Sequence, residues 1–222
     1  MSRFPAKIDG CLEHELVWPS RQAETYPTIL LLHGRGATAS DLLPLVPELG
    51  FEEFLAIAPQ APHELRGVFG LGFAWYHLEQ MEGGTNTSIT VGLRQLDDFI
   101  NAVIAGYPID RERLFLLGFS QGAVMALAAG LVKPGRVAGI AALSGYLDES
   151  SMPDDDVVSD KPPIFIGHGT NDQVIPIEAG QRSRDVLIAR GIDVRYREYP
   201  AGHVITPEEL TDVRYWLESL LD

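Results

Sequence analysis

Residues 114–122 read L-F-L-L-G-F-S-Q-G, and the other motifs of the chain are interpreted relative to this segment. Its first four residues are apolar, and a run of that length is too short for a helix and predicts a buried strand. The pattern G-x-S-x-G follows at once, from Gly118 to Gly122, and is typical of a sharp turn that presents a serine between a strand and a helix. Ser120 is therefore a candidate nucleophile.

Steric crowding explains the two glycines of this turn. A serine on so sharp a turn has strained backbone geometry, and its neighbours must lack side chains for the chain to pass closely. Residues 123–129 are strong helix formers, so a helix should start here with its N-terminus near Ser120. A glycine-flanked serine in an ordinary loop is the alternative, and the strand before and the helix after favour the catalytic interpretation.

Other segments extend this alternation of strands and helices. Short apolar runs predict further strands at 12–17, 28–32, 54–58, 137–143, 163–168 and 194–199. Helices are predicted at 41–49 despite two prolines, at 93–106, at 177–190, and at 206–221, which begins with the capping-box sequence T-P-E-E. The pattern predicts the α/β class, with a mostly parallel central sheet and helices on both faces.

Composition narrows the classes of partner. The 17 basic and 31 acidic residues give a net charge of −14, which argues against nucleic acid and anionic membranes as partners.

The single cysteine, Cys11, excludes an internal disulfide and is expected to be a packed thiol. No apolar leader or membrane-spanning stretch is visible, so we expect a cytoplasmic protein. The length of 222 residues favours one domain, 1–222, as a monomer or homodimer.

A catalytic serine needs two further side chains. Its hydroxyl is a weak nucleophile, so a base must take its proton and an acid must orient that base. On a sheet of this kind the expected chain order is serine, acid, histidine. Asp172 follows the strand at 163–168 and His203 follows the strand at 194–199, so both should reach the same sheet edge as Ser120.

Rival residues exist for both roles. Asp148 also follows a predicted strand and stays an alternative acid, although the short turn at 169–172 favours Asp172. His168 precedes Asp172 and would reverse the order. The remaining candidates follow no comparable strand: His14, His63 and His77. His33 is interpreted as a structural neighbour of the loop at 34–36.

Two backbone N–H groups are expected to stabilise an oxyanion. One is that of Gln121, directly after the serine, and the other is that of Arg35, in the loop after the strand at 28–32. Gly34 and Gly36 would let this loop approach Ser120. No cluster of histidine, cysteine or carboxylate has the spacing of a metal site, so neither a metal nor a cofactor is expected.

Residues 60–86 predict a long irregular segment that is rich in glycine and aromatic residues. Long loops in compact domains are usually functional, so we expect this segment to border an acyl pocket. The expected pocket residues are Phe69, Phe73, Trp75, Tyr76, Val174 and Ile175. The alternative is that the aromatic side chains belong to the core, as large apolar groups usually do.

Together these motifs resemble the phospholipase/carboxylesterase family of α/β-hydrolases, which includes bacterial carboxylesterases and acyl-protein thioesterases. The resemblance rests on L-L-H-G-R-G-A at 31–37, P-Q-A-P at 59–62, A-W-Y at 74–76, G-F-S-Q-G-A at 118–123, H-G-T-N-D at 168–172 and G-H at 202–203. It implies the α/β-hydrolase fold, with Ser120 as nucleophile, His203 as base and Asp172 as its partner. It also implies Arg35 and Gln121 as oxyanion donors.

The resemblance implies a serine carboxylesterase that acts on a small-molecule ester or thioester through an acyl-enzyme. The family more often has leucine in place of Arg35, and a cation there disfavours long apolar acyl chains, so short to medium chains are expected. Two other enzymatic activities are alternatives on the same fold. One is a dienelactone-hydrolase-like activity, which commonly uses cysteine where this chain has Ser120, and the other is a peptidase activity. A non-catalytic ligand binder on the same fold is a third alternative, and the complete set of serine, acid and histidine speaks against it.

Overall fold

The computed structural model describes residues 7–8, 12–50, 52–67, 70–77, 89–152 and 160–221. Cys11 and Phe69 lie outside the described residues, so the packed thiol and the pocket role of Phe69 stay predictions.

Nine strands are present among the described residues. They are β1 (His14–Val17), β2 (Tyr26–Leu32), β3 (Leu55–Pro59), β4 (His63–Gly67), β5 (Gly70–Ala74), β6 (Ile109–Phe119), β7 (Gly139–Leu143), β8 (Ile164–Gly169) and β9 (Val194–Tyr199). Seven of them form one sheet in the order β1-β3-β2-β6-β7-β8-β9. Only β1 runs antiparallel to its neighbour in this sheet, as the α/β pattern predicts for a mostly parallel sheet.

Four α-helices connect or follow the strands in the described ranges. They are α1 (Ile89–Gly106), α2 (Gln121–Val132), α3 (Ile177–Ala189) and α4 (Pro207–Glu218). Thr206 and Glu209 form the expected capping box at the start of α4, because each side chain accepts a hydrogen bond from the other's backbone N–H. None of the helices in the described part of the chain is both long and apolar enough to cross a bilayer.

Side chains of the sheet alternate between two apolar layers. Leu30 and Leu32 of β2 pack into the layer that holds α1, α2 and α3, called the α2 layer here. Ile29 and Leu31 pack into the opposite layer with α4, called the α4 layer. Every residue of β2 is buried, as expected for a strand covered on both faces.

The segment at 41–49, predicted as an α-helix, is different in the structure. A 3₁₀ helix, Ala39–Leu45, is present with Pro44 inside it, and residues 46–49 form turns. Proline has no N–H to donate to a carbonyl four residues back, so the α-helical bonding cannot continue through it. Short i to i+3 bonds are formed instead, such as Val46 N–H to the Leu43 carbonyl at 3.1 Å.

The segment at 60–86, predicted as irregular, contains the antiparallel hairpin of β4 and β5. Its glycines serve close packing. A Cβ atom on Gly72 would lie 2.1 Å from the carbonyl oxygen of Gly36, so only glycine lets the hairpin reach the loop after β2. Phe73 is hydrogen bonded to that loop through its backbone, with its carbonyl accepting from Gly36 at 2.8 Å and its N–H donating to Ala37 at 2.9 Å.

Candidate active site

Ser120 lies on the turn between β6 and α2, with its backbone in the left-handed region at φ 54° and ψ −120°. Such a conformation is strained for any residue except glycine. Its neighbours have no room for side chains, since a Cβ on Gly122 would lie 1.9 Å from the Leu32 carbonyl oxygen. A Cβ on Gly118 would lie 2.2 Å from the Gly122 carbonyl oxygen. The close contact of β2, β6 and α2 therefore holds the serine in its strained position.

A line of hydrogen bonds joins three of the predicted side chains. His203 Nε2 lies 2.9 Å from Ser120 Oγ, and His203 Nδ1 lies 2.7 Å from Asp172 Oδ2. Asp172 comes from the loop after β8 and His203 from the loop after β9. Because these strands are parallel to β6, all three loops leave the same edge of the sheet.

The Asp172 carboxyl is held by backbone amides as well as by His203. Its Oδ1 accepts hydrogen bonds from the N–H groups of Val174 at 2.8 Å and Ile175 at 3.0 Å. Burial opposes ionisation, but the hydrogen bonds from His203 and from these amides lower the pKa of the Asp172 carboxyl. A carboxylate only accepts hydrogen bonds, so His203 Nδ1 carries the proton. The Nε2 atom of the neutral ring then accepts from the Ser120 hydroxyl.

Val174 and Ile175 therefore contribute differently from the prediction, which placed them on the wall of an acyl pocket. Their backbone amides hold the acid, and the Val174 side chain is 67% exposed. Neither residue lines the cavity beside Ser120. The loop 172–175 folds back on itself, so that its own backbone amides satisfy the buried carboxylate.

The rivals for the acid and the base have other partners. Asp148 caps the 3₁₀ helix Glu149–Ser151, where its Oδ1 accepts from the N–H and the hydroxyl of Ser150. His168 is buried behind the acid, and its Nε2 lies 2.8 Å from the Ile175 carbonyl oxygen. Within the described ranges, no three His, Cys, Asp or Glu side chains are grouped to hold a metal ion.

Both predicted oxyanion donors belong to segments that adjoin Ser120. Gln121 is the first residue of α2, and the N–H groups of a first helical turn have no acceptor within the helix. Arg35 lies in the loop after β2, next to Gly34, where an added Cβ would lie 3.3 Å from the Cβ of Ser120. The Arg35 side chain itself is exposed.

His33 holds the loop after β2 in place through hydrogen bonds of its ring. It is fully buried, and the Ala61 N–H donates to its Nε2 at 3.1 Å. The ring proton is therefore on Nδ1, which donates to the Gly34 carbonyl at 2.7 Å. Burial lowers the pKa of the His33 imidazole, against the opposite effects of Gly34 and Asp41. A neutral His33 thus fixes the loop, as its structural interpretation predicts.

The side chain of Gln121 has a role that the sequence analysis missed. Its Oε1 accepts from the Trp75 N–H at 2.9 Å, and its Nε2 donates to the Tyr76 carbonyl at 2.8 Å. The Trp75 indole in turn donates to the His33 carbonyl at 2.8 Å. These bonds join the serine turn, the loop after β2 and residues 75–76. Contacts between residues more than 40 positions apart leave no periodic signal in a sequence.

A cavity of about 370 Å³ opens beside Ser120 and His203. The large apolar side chains of its wall are those of Leu42, Leu45, Phe119, Val204 and Ile205, and its charged lining residues are Arg35 and Asp41. The sequence analysis assigned no role to this wall. The Phe119 ring lies 4.9 Å from the His203 ring, so the wall begins at the base itself.

Three of the aromatic residues that were expected to line the pocket lie in the described part of the chain, and they pack into or against the core. Trp75 is 0% exposed and Tyr76 7%, both within the α2 layer, and Phe73 packs against the same layer. None of the three lines the cavity beside Ser120. The hairpin and the Gln121 side chain turn this segment inward, so the alternative interpretation as core describes Trp75.

Known proteins resemble this chain in sequence and in structure along nearly all of its length. The sequence profile of the Phospholipase/Carboxylesterase family matches residues 12–221. An acyl-protein thioesterase 1 from Gibberella zeae is 31% identical, over 93% of this chain and 95% of the relative. The crystal structure of esterase PE8 has 28% identity and a TM-score of 0.83, covering 94% of this chain and 99% of that chain.

A more distant structure supports the fold alone. The carboxylesterase of Bacillus cereus is 20% identical and has a TM-score of 0.78, with 94% of each chain covered. The family profile spans nearly all of the sequence, and the sheet is mostly parallel with helices on both faces. The chain has the α/β-hydrolase fold and belongs to the phospholipase/carboxylesterase family.

Proposed function

We propose that this chain is a serine esterase that hydrolyses short- to medium-chain carboxylic esters, and thioesters, through an acyl-enzyme on Ser120. The observation that carries the proposal is the hydrogen-bonded line from Asp172 through His203 to Ser120. Family membership supports hydrolysis of an acyl bond. The similarity to an acyl-protein thioesterase supports thioesters as a second substrate class.

The first half of the reaction acylates the enzyme. His203 takes the hydroxyl proton on Nε2 while Ser120 Oγ attacks the ester carbonyl carbon. Asp172, ionised and hydrogen bonded to Nδ1, stabilises the imidazolium that forms. The negative charge on the carbonyl oxygen is stabilised by the N–H groups of Gln121 and Arg35.

The second half regenerates the serine. His203 gives its proton to the leaving oxygen or sulfur, the bond to the carbonyl carbon breaks, and the alcohol or thiol departs. Water then takes the place of the leaving group and loses a proton to His203. Its attack on the acyl-enzyme releases the carboxylic acid and returns the proton to Ser120.

Replacement of the serine tests the proposal, and a second serine supplies a matched control. Ser144 also has a positive φ, of 50°, and is buried with no hydrogen-bond partner for its hydroxyl among the described residues. We expect Ser120→Ala to lose about 10⁴-fold or more in kcat for p-nitrophenyl butyrate, with an unchanged circular dichroism spectrum. Ser144→Ala should keep activity near that of the native chain. Near-normal hydrolysis by a folded Ser120→Ala variant would contradict the proposal.

We expect a preference for shorter acyl chains because Arg35, whose backbone N–H is the second proposed oxyanion donor, places a cation beside the carbonyl carbon from which the acyl chain extends; the family more often has leucine at this position. We expect kcat/KM for p-nitrophenyl esters to be highest between acetyl and octanoyl and to fall for palmitoyl. A steady rise to palmitoyl would contradict this part of the proposal. We also propose that the protein acts in the cytoplasm as a monomer or homodimer, in keeping with its single cysteine.

A further inference from the structure

The cavity that the described residues line beside Ser120 and His203 lies on the α4 side of the sheet. Phe119 and Ile205 pack against the α4 layer, and Leu42 belongs to that layer. Trp75 and Tyr76, by contrast, belong to the α2 layer and do not line the cavity. Within the described part of the chain, this cavity is therefore separated from Trp75 and Tyr76 by the sheet edge.

His203 determines which half of an ester lies on that side. The leaving oxygen has to come within hydrogen-bond reach of His203 Nε2, because it takes its proton from that atom. The two residues that follow His203, together with the Phe119 ring, continue from the base into the cavity wall. A group attached to the leaving oxygen thus extends directly along this wall.

We infer that the groove formed by Leu42, Leu45, Phe119, Val204 and Ile205 binds the alcohol or thiol portion of the substrate. This inference rests on the proposed function, since it needs an acyl transfer at Ser120. It makes Leu45 a residue that determines specificity for the leaving group and leaves the acyl chain to the opposite side.

The groove fits an uncharged aliphatic leaving group of short to medium length. Five large apolar side chains form its wall, and at about 370 Å³ it is at the small end of ligand pockets. The two charged residues of the lining, Arg35 and Asp41, are exposed and of opposite sign. The apolar wall therefore selects for aliphatic carbon in the alcohol, and a charged alcohol would be desolvated there without a dedicated partner.

Pairs of isomeric esters separate the two halves of the substrate. Butyl acetate and methyl pentanoate have the same atoms, as do hexyl acetate and methyl heptanoate, so each pair differs only in which side of the ester bears the carbon chain. Methyl acetate is common to both series. If the groove holds the alcohol, kcat/KM rises from methyl to hexyl along the acetate series.

Leu45 allows a matched set of variants. It is partly buried on the 3₁₀ helix Ala39–Leu45, as is Leu43, which is not part of the cavity lining. Leu45→Ala should reduce the preference for hexyl over methyl acetate by about tenfold, and Leu45→Trp should lower hexyl acetate more than methyl acetate. The methyl alkanoates should shift by one common factor. Leu43→Ala removes the same atoms outside the groove and should leave both rankings as in the native chain.

The outcomes distinguish failure of this inference from failure of the proposed function. Reordering of the methyl alkanoates by Leu45 variants, with the alkyl acetates shifting in parallel, would show that the groove holds the acyl chain. Unchanged ranking in both series would show that the groove binds neither half. In both cases stoichiometric labelling of Ser120 by a fluorophosphonate would leave the esterase proposal standing. If a fluorophosphonate does not label Ser120 in the native chain, both the esterase proposal and the inference about the groove are overturned.

Discussion

Asp172 is buried and yet ionised because three donors face its two oxygens. His203 bonds Oδ2, and the amides of Val174 and Ile175 bond Oδ1. This arrangement fixes the imidazole ring and its tautomer, which is what makes Nε2 an acceptor for the serine proton. Removing the charge while keeping the shape of the side chain isolates this role.

Asp172→Asn should lower kcat for ester hydrolysis by about 10³-fold or more with little change in the fold. An amide can donate to His203 Nδ1, which favours the tautomer with the proton on Nε2 and leaves no acceptor for Ser120. Asp148→Asn is the matched control, because its carboxylate caps a surface 3₁₀ helix. Steady-state rates of both variants decide the case, and a crippled Asp148→Asn with an active Asp172→Asn would move the acid to the earlier strand.

Gln121→Leu should lower the free energy of unfolding by about 3 kcal/mol. The substitution leaves the N–H of Trp75 and the carbonyl of Tyr76 buried without their partners, and each such loss costs about 1–3 kcal/mol. Gln181→Leu is the control, because its amide donates to Glu198 at the surface. Urea unfolding of both variants provides the comparison; equal, small losses would mean that the Gln121 side chain does not hold residues 75–76.

Two glycines at the ends of helices are required for different reasons, one for lack of space and the other for its backbone conformation. Gly122 has no room for a side chain, since its Cβ would lie 1.9 Å from a carbonyl oxygen. Gly191, after α3, has a φ of 72° and nothing within 4 Å of an added Cβ. The first position is limited by the contact between α2 and β2, and the second only by its φ.

Gly122→Ala should therefore destabilise the protein by more than about 3 kcal/mol or prevent folding, because β2 must move to admit the methyl group. Gly191→Ala should cost about 1 kcal/mol, the price of a left-handed residue with a side chain. Thermal unfolding measures both. A Gly122→Ala variant that melts like Gly191→Ala would contradict the close contact between the helix start and β2.

The same elements show what a sequence can predict here. The strands at 28–32 and 163–168 were predicted because strands covered on both faces are continuous apolar runs. The ends of the strands at 114–117, 163–168 and 194–199 predicted that Ser120, Asp172 and His203 lie at one edge. The catalytic roles of these residues stay predictions. The hairpin of β4 and β5 was missed because its glycines, which serve packing against Gly36, read as loop signals.

Packing of the whole molecule explains the remaining misses. Trp75 was placed at a pocket because its segment is long and rich in glycine and aromatic residues, whereas hydrogen bonds to Gln121 and His33 hold it in the core. The wall at Leu42, Leu45 and Ile205 was missed because it forms only when the 3₁₀ helix and the loop after β9 come together. Neither arrangement has a local sequence signal.

Glu209 makes the free energy of unfolding depend on pH. It is 1% exposed, and burial raises the pKa of its carboxyl from the ordinary 4.5 to about 7, despite the hydrogen bond from the Thr206 amide. The folded state thus keeps a proton that the unfolded state has released, so the free energy of unfolding falls between pH 4.5 and 7. The full effect is about 3 kcal/mol. Asp172 acts oppositely, since its lowered pKa costs stability only at more acidic pH.

Glu209→Gln should flatten this profile and raise the free energy of unfolding at pH 8 relative to the native chain. Glutamine is neutral at every pH and still suits the capping box with Thr206. Glu208→Gln, on the exposed side of the same turn, should keep the native profile. Urea unfolding of the three proteins between pH 5 and 8 is the measurement, and a native-like slope in Glu209→Gln would remove Glu209 as its source.

Covalent labelling tests whether Ser120 is a nucleophile that His203 activates. A fluorophosphonate reacts only with a serine whose proton can be taken by a base, and peptide mass spectrometry locates the phosphonyl group. We expect one group per chain on Ser120, at a rate that falls by orders of magnitude in His203→Ala and is unchanged in Ser144→Ala. A label on another residue, or labelling of Ser120 that is equally fast without His203, would contradict the account.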